Sequence, residues 1–332
     1  MFRSIGLSIL AVLVMTACGG SSSSGEGPIL IKFSHVTSPA TPKGQGADRF
    51  KHLVEERLQG RVKVEVYPSG QLLNDDDSLE ALAFGEIQMV ATSLSKFDRI
   101  THTFQLFDLP FLFPDLKAVE RFQASAEGRS MLSEMKDRGF LGLAYWHNGM
   151  KQFGGPKAML KPEDAAGLKF RIMESDVLQE QILQMKGNPQ KMAFGEVYQA
   201  LQTGAVDAQE NTWSNIYSSK FFEVQPVLTE TNHGYLGYLV AVNPSFWNSL
   251  PEDIRAELEN IVLEVSQWVN ERAARINQDS KEKIRASGRS EFAQLTEAQL
   301  QHWQDTMRPV WGKFEDNIGK DLIEAASAVS AQ

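Results

Sequence analysis

One uninterrupted stretch of the sequence limits the possible folds more than any other feature. Pro251 opens a segment that runs to about Ser287 without another proline or a glycine. Such a segment predicts a single helix of about 36 residues, which is roughly 54 Å long at 1.5 Å per residue. A compact domain of about 150 residues is smaller than this, so the helix is expected to bridge two domains. The length of 332 residues is also that of a two-domain chain.

Short apolar runs alternate with helical patterns along the rest of the chain. In the first half, the order β-α-β-α-β predicts an α/β domain with a largely parallel sheet. The second half repeats this style. Predicted strands cover 29–34, 62–67, 87–91, 141–146, 168–172, 206–210 and 235–243, and predicted helices cover 44–58, 75–84, 176–186, 196–203, 251–287, 296–316 and 318–329.

The N-terminus has the pattern of an export segment. Arg3 is followed by an almost wholly apolar run from Ile5 to Met15, which is too short to span a bilayer and typical of a secretory signal. Cys18, the one cysteine of the sequence, comes directly after it. This arrangement resembles a bacterial lipoprotein processing site, with residues 1–18 as signal and Cys18 as the lipidated mature N-terminus; the alternative is an ordinary signal peptide with an incidental cysteine. Residues 19–27, GGSSSSGEG, predict a flexible tether.

Composition and motifs argue against several functional classes. The net charge of −9 and the lack of a basic run disfavour a nucleic-acid partner. The sequence lacks a Walker A loop, a G-x-S-x-G elbow, a dinucleotide fingerprint and paired histidines at zinc-site spacing. The acidic run Asp75–Asp77 lacks the glycine and glutamate of a calcium loop and is interpreted as a helix N-terminus. We therefore expect no catalytic residue, metal or cofactor, although missing motifs remove only the standard enzymes.

Two polar segments are candidates for binding. Arg171 lies near the end of the apolar strand in GLKFRIM, residues 167–173, and the polar-aromatic run 209–226 follows another predicted strand. Strand ends face the ligand crevice in open α/β sheets. An arginine there suits a carboxylate, because its planar fork makes two charge-assisted hydrogen bonds. The alternative is a strand-end arginine paired with a surface acid.

From about residue 30 to 316 the sequence resembles the solute receptors of TRAP transporters, specifically the DctP-type receptors for C4-dicarboxylates. The resemblance rests on long runs, among them VKVEVYPSGQL, FQLFDLPFLF, YWHNGMKQ, GLKFRIM and FGEVYQALQTGAVDAQENTWSNIYSSKFFEVQ. It implies an α/β fold of the two-lobe periplasmic-binding-protein type, with an interlobe cleft and a long helix spanning both lobes. We expect the first lobe at 28–148 plus about 237–270, and the second at 149–236 plus about 271–332.

The resemblance also implies the residues of a ligand site. Arg171 matches the carboxylate-binding arginine of the family, and Asn211 matches an asparagine that holds the same carboxylate, with a helix N-cap as its alternative role. Lys151 or Lys43 would meet the second carboxylate, although either could be a solvated surface charge. Looser matches to pocket positions, for which core packing is the alternative for the histidines and the tryptophan, are His35, Ser93, Trp213 and His233.

The function that the resemblance implies is capture of succinate, malate or fumarate outside the cytoplasm. The protein would close on its ligand and dock on a sodium-driven membrane permease. We expect it in the periplasm, held to a membrane by a lipid anchor at Cys18. The alternatives are an exported enzyme acting on small organic acids and a receptor that feeds a sensor kinase.

Overall fold

The structure, a computed structural model, describes residues 27–331. The predicted signal segment with Cys18, and the predicted tether up to residue 26, lie outside these residues. Within residues 27–331, no helix has both the length and the apolar character needed to cross a membrane.

Two mixed sheets form the framework of the molecule. The first has the strand order β2-β1-β3-β10-β4, in which β1, β2 and β3 are parallel and β10 is antiparallel to both of its neighbours. The second has the order β11-β9-β5-β8-β6-β7. The strands are β1 Ile29–Ser34, β2 Val62–Tyr67, β3 Met89–Ser93, β4 Leu141–Met150, β5 Gln152–Gly155, β6 Lys169–Ile172, β7 Asn188–Lys191, β8 Ala208–Asn211, β9 Val227–Glu230, β10 Tyr235–Val242 and β11 Glu291–Gln294.

Helices cover and connect these sheets. The α-helices are α1 Pro42–Arg57, α2 Asp75–Ala83, α3 Leu116–Ala124, α4 Ala126–Met131, α5 Asp176–Gln184, α6 Val197–Thr203, α7 Trp213–Ser218, α8 Pro244–Ser249, α9 Glu252–Ser287, α10 Glu297–Ile318 and α11 Lys320–Ser330. Short 3-10 helices lie at Leu94–Phe97, Thr103–Asp108, Lys136–Arg138, Pro162–Ala165, Phe194–Glu196 and Phe221–Glu223.

The chain crosses between the sheets at two neighbouring places. Lys151 alone separates β4 of the first sheet from β5 of the second, and the chain returns between β9 and β10. The two crossings touch, since the backbone N–H of Lys151 donates to the carbonyl oxygen of Gly234 at 2.7 Å. The fold is therefore two-lobed, with each lobe built around one sheet and the crossing strands side by side between them.

Helix α9 joins the lobes along one flank. Its first half buries apolar residues such as Leu258 and Val265 in the core shared with α1 and the first sheet. Its second half packs on α7 of the second lobe, where the side chain of Asn277 accepts a hydrogen bond from the backbone N–H of Ser214. The predicted bridging helix is thus confirmed, and its C-terminus at Gly288 takes the left-handed conformation that glycine tolerates best.

Several expectations about the elements were incomplete. The prediction of a largely parallel sheet was wrong, because β10 returns from the second lobe and inserts antiparallel between β3 and β4. Strand β4 is longer than predicted, and β5, β7, β9 and β11 were missed. The lobe boundaries stay a prediction. Helix α11 packs on α3, which precedes β4 in the chain, so the C-terminal segment contacts both halves of the molecule.

Candidate functional site

A cavity lies between the lobes, at the ends of strands from both sheets. It is partly open to solvent, and the empty space there, open solvent included, is about 390 Å³. The first lobe contributes α1, α2, β3 and β10, the second contributes β6 and β8, and Lys151 comes from the crossing. The cavity is lined by Val36, Thr37, Lys43, Asp75, Ser93, Lys151, Arg171, Met173, Phe194, Glu210, Asn211, Asn215, Leu236 and Tyr238.

Arg171 is held in β6 with its side chain only 3% exposed. Its Nε and Nη2 donate to the carbonyl oxygen of Met192 at 3.1 and 2.9 Å, which fixes the guanidinium plane. Among residues 27–331, Nη1 has no hydrogen-bond acceptor and the side chain forms no ion pair, so the alternative of a surface salt bridge is not observed. Burial lowers the pKa of Arg171 to about 10, against the opposing effect of Glu210 and Asp75. The guanidinium remains charged at neutral pH.

Asn211 ends β8, two residues beyond the position that pairs with Arg171. Its Oδ1 accepts from Asn215 Nδ2 at 2.9 Å and from the backbone N–H of Thr212 at 3.0 Å. This leaves Nδ2 without an acceptor in the described part of the chain. The N-cap position of α7 belongs to Thr212, so the alternative role of Asn211 as the cap of this helix is not observed.

Lys43 lies in the first turn of α1 and is fully buried. Its Nζ donates to the carbonyl oxygen of Ala91 at 2.9 Å and sits 3.8 Å from the centre of the Tyr238 ring. Burial lowers the pKa of Lys43 to about 8, and the nearby Asp75 carboxylate opposes this shift. The solvated surface charge considered for this lysine is therefore not observed.

Lys151 is also buried and is paired with Glu210. Its Nζ lies 2.6 Å from Glu210 Oε1, while His233 Nε2 lies 2.7 Å from Glu210 Oε2. Burial alone would raise the pKa of Glu210, but Lys151 and His233 together lower it to about 2. Burial lowers the pKa of His233, and its ring stacks on Phe153 with 3.8 Å between centroids. The three side chains form one buried charged group at the crossing.

A chain of polar side chains connects the two lobes behind the cavity. Asn148 Nδ2 donates to Tyr238 Oη at 2.6 Å and to Asn215 Oδ1 at 3.1 Å. Asn215 in turn orients Asn211, and Tyr238 lies beneath Lys43. The positions of Lys43 and Asn211 are thus linked by direct contacts across the crossing strands.

The structure brings some of the predicted residues together and not others. Arg171, Asn211, Lys43, Lys151 and Ser93 line the cavity, with Ser93 at the end of β3.

Three other predicted residues do not line the cavity. His233 lies behind Glu210, and Trp213 stacks on Phe292 at 5.4 Å in a core cluster of the second lobe. His35 is buried, and neither of its ring nitrogens has a hydrogen-bond partner among residues 27–331. Burial, with a further contribution from Lys43, lowers the pKa of His35 to about 3. Binding roles for these three residues stay predictions, and the core packing considered as their alternative fits Trp213 best.

Several cavity residues were not found by sequence reasoning. Glu210 is adjacent to Asn211 in the polar run, and a buried carboxylate beside two cationic candidates could have been suspected there. Asp75 was interpreted as a solvated helix N-terminus, but its side chain faces the cavity. Asn148, Asn215 and Tyr238 carry no local signal, because their roles depend on contacts between residues 67 to 90 positions apart.

Outside this cavity, the described residues form other grooves but no cluster suited to a metal ion. A larger groove lies between α10 and α11, near Arg308 and Lys320, but its charged side chains are exposed or half-buried and are therefore screened by solvent. Across residues 27–331, no group of three or more histidine, cysteine or acidic side chains is placed to hold a metal ion.

Comparison with known proteins gives consistent matches over nearly the whole chain. The family described as bacterial extracellular solute-binding protein, family 7, matches residues 33–317. The C4-dicarboxylate-binding periplasmic protein DctP of Shewanella loihica is 52% identical over 311 residues, which is 93% of this chain and 92% of that protein.

Two solved structures are similar in both sequence and fold. A TRAP periplasmic solute-binding protein from Shewanella oneidensis with bound succinate is 50% identical, with a TM-score of 0.90 over 91% of this chain and 99% of that chain. Another from Pseudomonas aeruginosa with bound L-malate is 46% identical, with a TM-score of 0.85 over 86% of this chain and 100% of that chain.

Proposed function

Since this chain belongs to family 7 of the bacterial extracellular solute-binding proteins, we propose that it is the receptor of a TRAP transporter and binds a C4-dicarboxylate in the cleft between its lobes. The family consists of solute-binding proteins and not of enzymes. The relatives named above are periplasmic, and two of the similar structures hold succinate and L-malate. This chain would capture the same class of ligand and present it to a membrane permease.

One observation supports the proposal most directly: buried side chains that carry a positive charge or an amide N–H point into the same cavity from both lobes. Arg171 Nη1 and Asn211 Nδ2 have no acceptor in the described residues, and they lie on neighbouring strands of the second lobe. Lys43 lies on the first lobe. A ligand with a carboxylate at each end could accept from Arg171 and Asn211 at one end and from Lys43 at the other.

Closure would strengthen this recognition. Ion pairs gain energy as water is excluded, because the effective dielectric constant falls. A ligand that touches both lobes stabilises the closed arrangement more than an open one, as hinge closure of periplasmic binding proteins requires. The crossing strands, with Lys151 between β4 and β5, are the natural place for that hinge.

We also propose that the mature protein is tethered to a membrane. The support is the sequence alone, namely the apolar run before Cys18 and the glycine- and serine-rich segment after it. Metabolic labelling with a radioactive fatty acid, compared with a Cys18→Ser variant, would test this. Equal labelling of the two proteins, or none of the native one, would contradict the anchor.

A thermal-shift screen of organic acids on the purified protein tests the binding function. A ligand at a hundred times its dissociation constant adds about 2.7 kcal/mol of stability, so succinate, malate or fumarate should raise the melting temperature by several degrees. The dicarboxylates should be recovered unchanged after incubation. A shift with neutral sugars and none with any dicarboxylate would contradict the proposal.

Arg171→Ala provides the matched site test. Removing a buried charged partner costs about 3–5 kcal/mol, so we expect at least a hundredfold loss of affinity by calorimetry with an unchanged circular dichroism spectrum. The control is Arg289→Ala, because Arg289 is exposed on the second lobe. Near-native affinity of Arg171→Ala would remove this residue from the site.

A further inference from the structure

Asp75 is a carboxylate in a cavity that we propose to hold carboxylates. It is the first residue of α2, its side chain lines the cavity, and it is only 9% exposed. Its neighbours in the sequence are engaged elsewhere, since Asp76 pairs with Lys96 at 2.7 Å and Asp77 bonds Asn74 at 2.8 Å. The Asp75 carboxylate itself accepts no hydrogen bond from any residue in 27–331.

The charged and titratable groups around Asp75 come from every element that faces it. Lys43 on α1, Lys96 on the following 3-10 helix and Arg171 on β6 favour its ionised form, while Asp76 on its own helix disfavours it. Across the cavity lie Lys151, Glu210 and Tyr238. Lys96 is already paired with Asp76, and Lys151 with Glu210.

Binding of a dicarboxylate would change the balance of charges in the cavity. The cavity brings together the cations Lys43, Lys151 and Arg171 and the anions Asp75 and Glu210. A dicarboxylate dianion would add two further negative charges, so four anionic groups would face three cations in a closed cleft. A buried charge without a partner is strongly unfavourable, and two carboxylates that share a site cannot both stay ionised.

We propose that Asp75 takes up one proton from solution as the cleft closes on a dicarboxylate, and that the resulting O–H donates to a carboxylate oxygen of the ligand. This inference rests on the proposed function. The proton is shared between two carboxyl groups, and no other bond is made or broken. Asp75 is thereby a ligand-binding residue that selects for an acceptor at the end of the ligand next to α2.

The electrostatics of the described residues agree with this assignment. Burial raises the pKa of Asp75, and the opposing effect of Lys43 does not cancel it. Lys43, with a pKa of about 8, is mostly protonated at pH 7 and has little capacity to take up the proton instead. Because the bound state holds one proton more than the free state, affinity must fall as the pH rises.

Isothermal titration of the protein with succinate at pH 7.0, in buffers of different ionisation enthalpy, counts the protons directly. We expect uptake of about one proton per succinate by the native protein and by Asp77→Asn, whose substituted side chain is exposed. We expect uptake near zero by Asp75→Asn, since asparagine is neutral and nearly isosteric with the protonated acid. The dissociation constant of the native protein should rise about tenfold per pH unit above neutrality, as one bound proton requires.

The outcomes separate this inference from the binding function. If succinate and the other dicarboxylates do not bind the native protein, the proposed function fails first. If succinate binds without proton uptake, or if Asp75→Asn takes up the same proton, only the role of Asp75 is overturned. Should Asp75→Asn not fold, the proton count and pH dependence of the native protein still decide, because a count of zero excludes the shared proton.

Discussion

Glu210 shows how a single carboxylate can organise a buried site. One oxygen lies 2.6 Å from the Lys151 ammonium and the other 2.7 Å from the His233 ring. Gln181 also donates to Glu210 at 3.3 Å. In the low dielectric of the interior, such a group is stable only when every charge has its partner. Glu210 therefore holds the Lys151 side chain in place next to the ligand cavity.

Glu210→Gln should lower stability at neutral pH by about 3–5 kcal/mol, because it leaves a buried ammonium without its counter-charge. The folded-state pKa of Glu210, about 2, lies below that of an unfolded glutamate, about 4.3. Its stabilising contribution is thus complete above about pH 5 and is lost as the pH falls toward 2. Urea unfolding of both proteins between pH 3.5 and 7 measures this.

The difference between the native protein and Glu210→Gln should shrink steadily on acidification. Glu223→Gln, at an exposed position of the same lobe, is the control and should change stability little at any pH. A difference that stays constant down to pH 3.5 would show that Glu210 is not held ionised by its neighbours.

At this scale the sequence identified cations better than anions. Arg171 was found from its place near the end of a predicted strand, and Lys43 and Lys151 were found through the family resemblance. Asp75 and Glu210 were not, because an acidic residue near a helix start or a strand end is usually solvated. Only contacts such as that of Lys151 with Glu210, 59 positions away in the chain, reveal that they are buried.

Among the elements, strand β4 is bound along its free edge by a helix and not by another strand. It is an edge strand of the first sheet, and α9 runs along its outer side. Asn270 Oδ1 accepts from the N–H of His147 at 2.8 Å, and Asn277 Nδ2 donates to the carbonyl oxygen of Asn148 at 2.6 Å. Side-chain amides of the helix thus satisfy backbone groups that a further strand would otherwise bind.

Asn277→Ala should loosen the junction of the lobes. Its Oδ1 accepts the N–H of Ser214 at 2.9 Å, so alanine leaves buried groups on both α7 and β4 without partners. Each such group costs about 1–3 kcal/mol, and we expect the melting temperature to fall by several degrees. Gln278→Ala, one residue further on the exposed face of α9, is the comparison. Equal melting temperatures of the two variants would show that the hydrogen bonds of Asn277 contribute little to stability.

The sequence predicted the elements whose pattern is long or regular. Helix α9 was predicted to within one residue at its start, because 36 residues without an interruption leave few alternatives. Strand β5 has the sequence QFGG, in which two glycines hide any alternation, and β9 has only four residues. Both are specified by pairing within the second sheet and not by their own pattern.

For the whole molecule, the close contact at the crossing is the critical feature. A Cβ atom on Gly234 would lie 2.7 Å from Lys151 Cε and 3.3 Å from its Nζ. The Lys151 ammonium is held by Glu210, and the Lys151 backbone is held by its hydrogen bond to Gly234, so withdrawal of the side chain would break the ion pair. A side chain at position 234 would therefore have to displace the end of the Lys151 side chain from its place beside Glu210.

Gly234→Ala should therefore affect stability and binding together. Overpacking of a buried site typically costs about 1–3 kcal/mol, and displacement of Lys151 from Glu210 should weaken dicarboxylate binding about tenfold, which corresponds to about 1.4 kcal/mol. Thermal melting and calorimetry measure the two effects. The control is Gly312→Ala in α10, where an added Cβ meets nothing within 4 Å and should stabilise slightly. Unchanged binding by Gly234→Ala would contradict the tight contact.

The position of Lys151 has a mechanical consequence. A rotation moves each atom in proportion to its distance from the axis, and this ammonium group lies beside the strands about which the lobes would turn. It would hardly travel during an opening stroke, whereas Lys43 and Arg171, carried on opposite sides, would be drawn apart. A ligand bound at both ends would therefore lose its contacts with one lobe as the lobes separate, whereas Lys151 would keep its position for the next ligand.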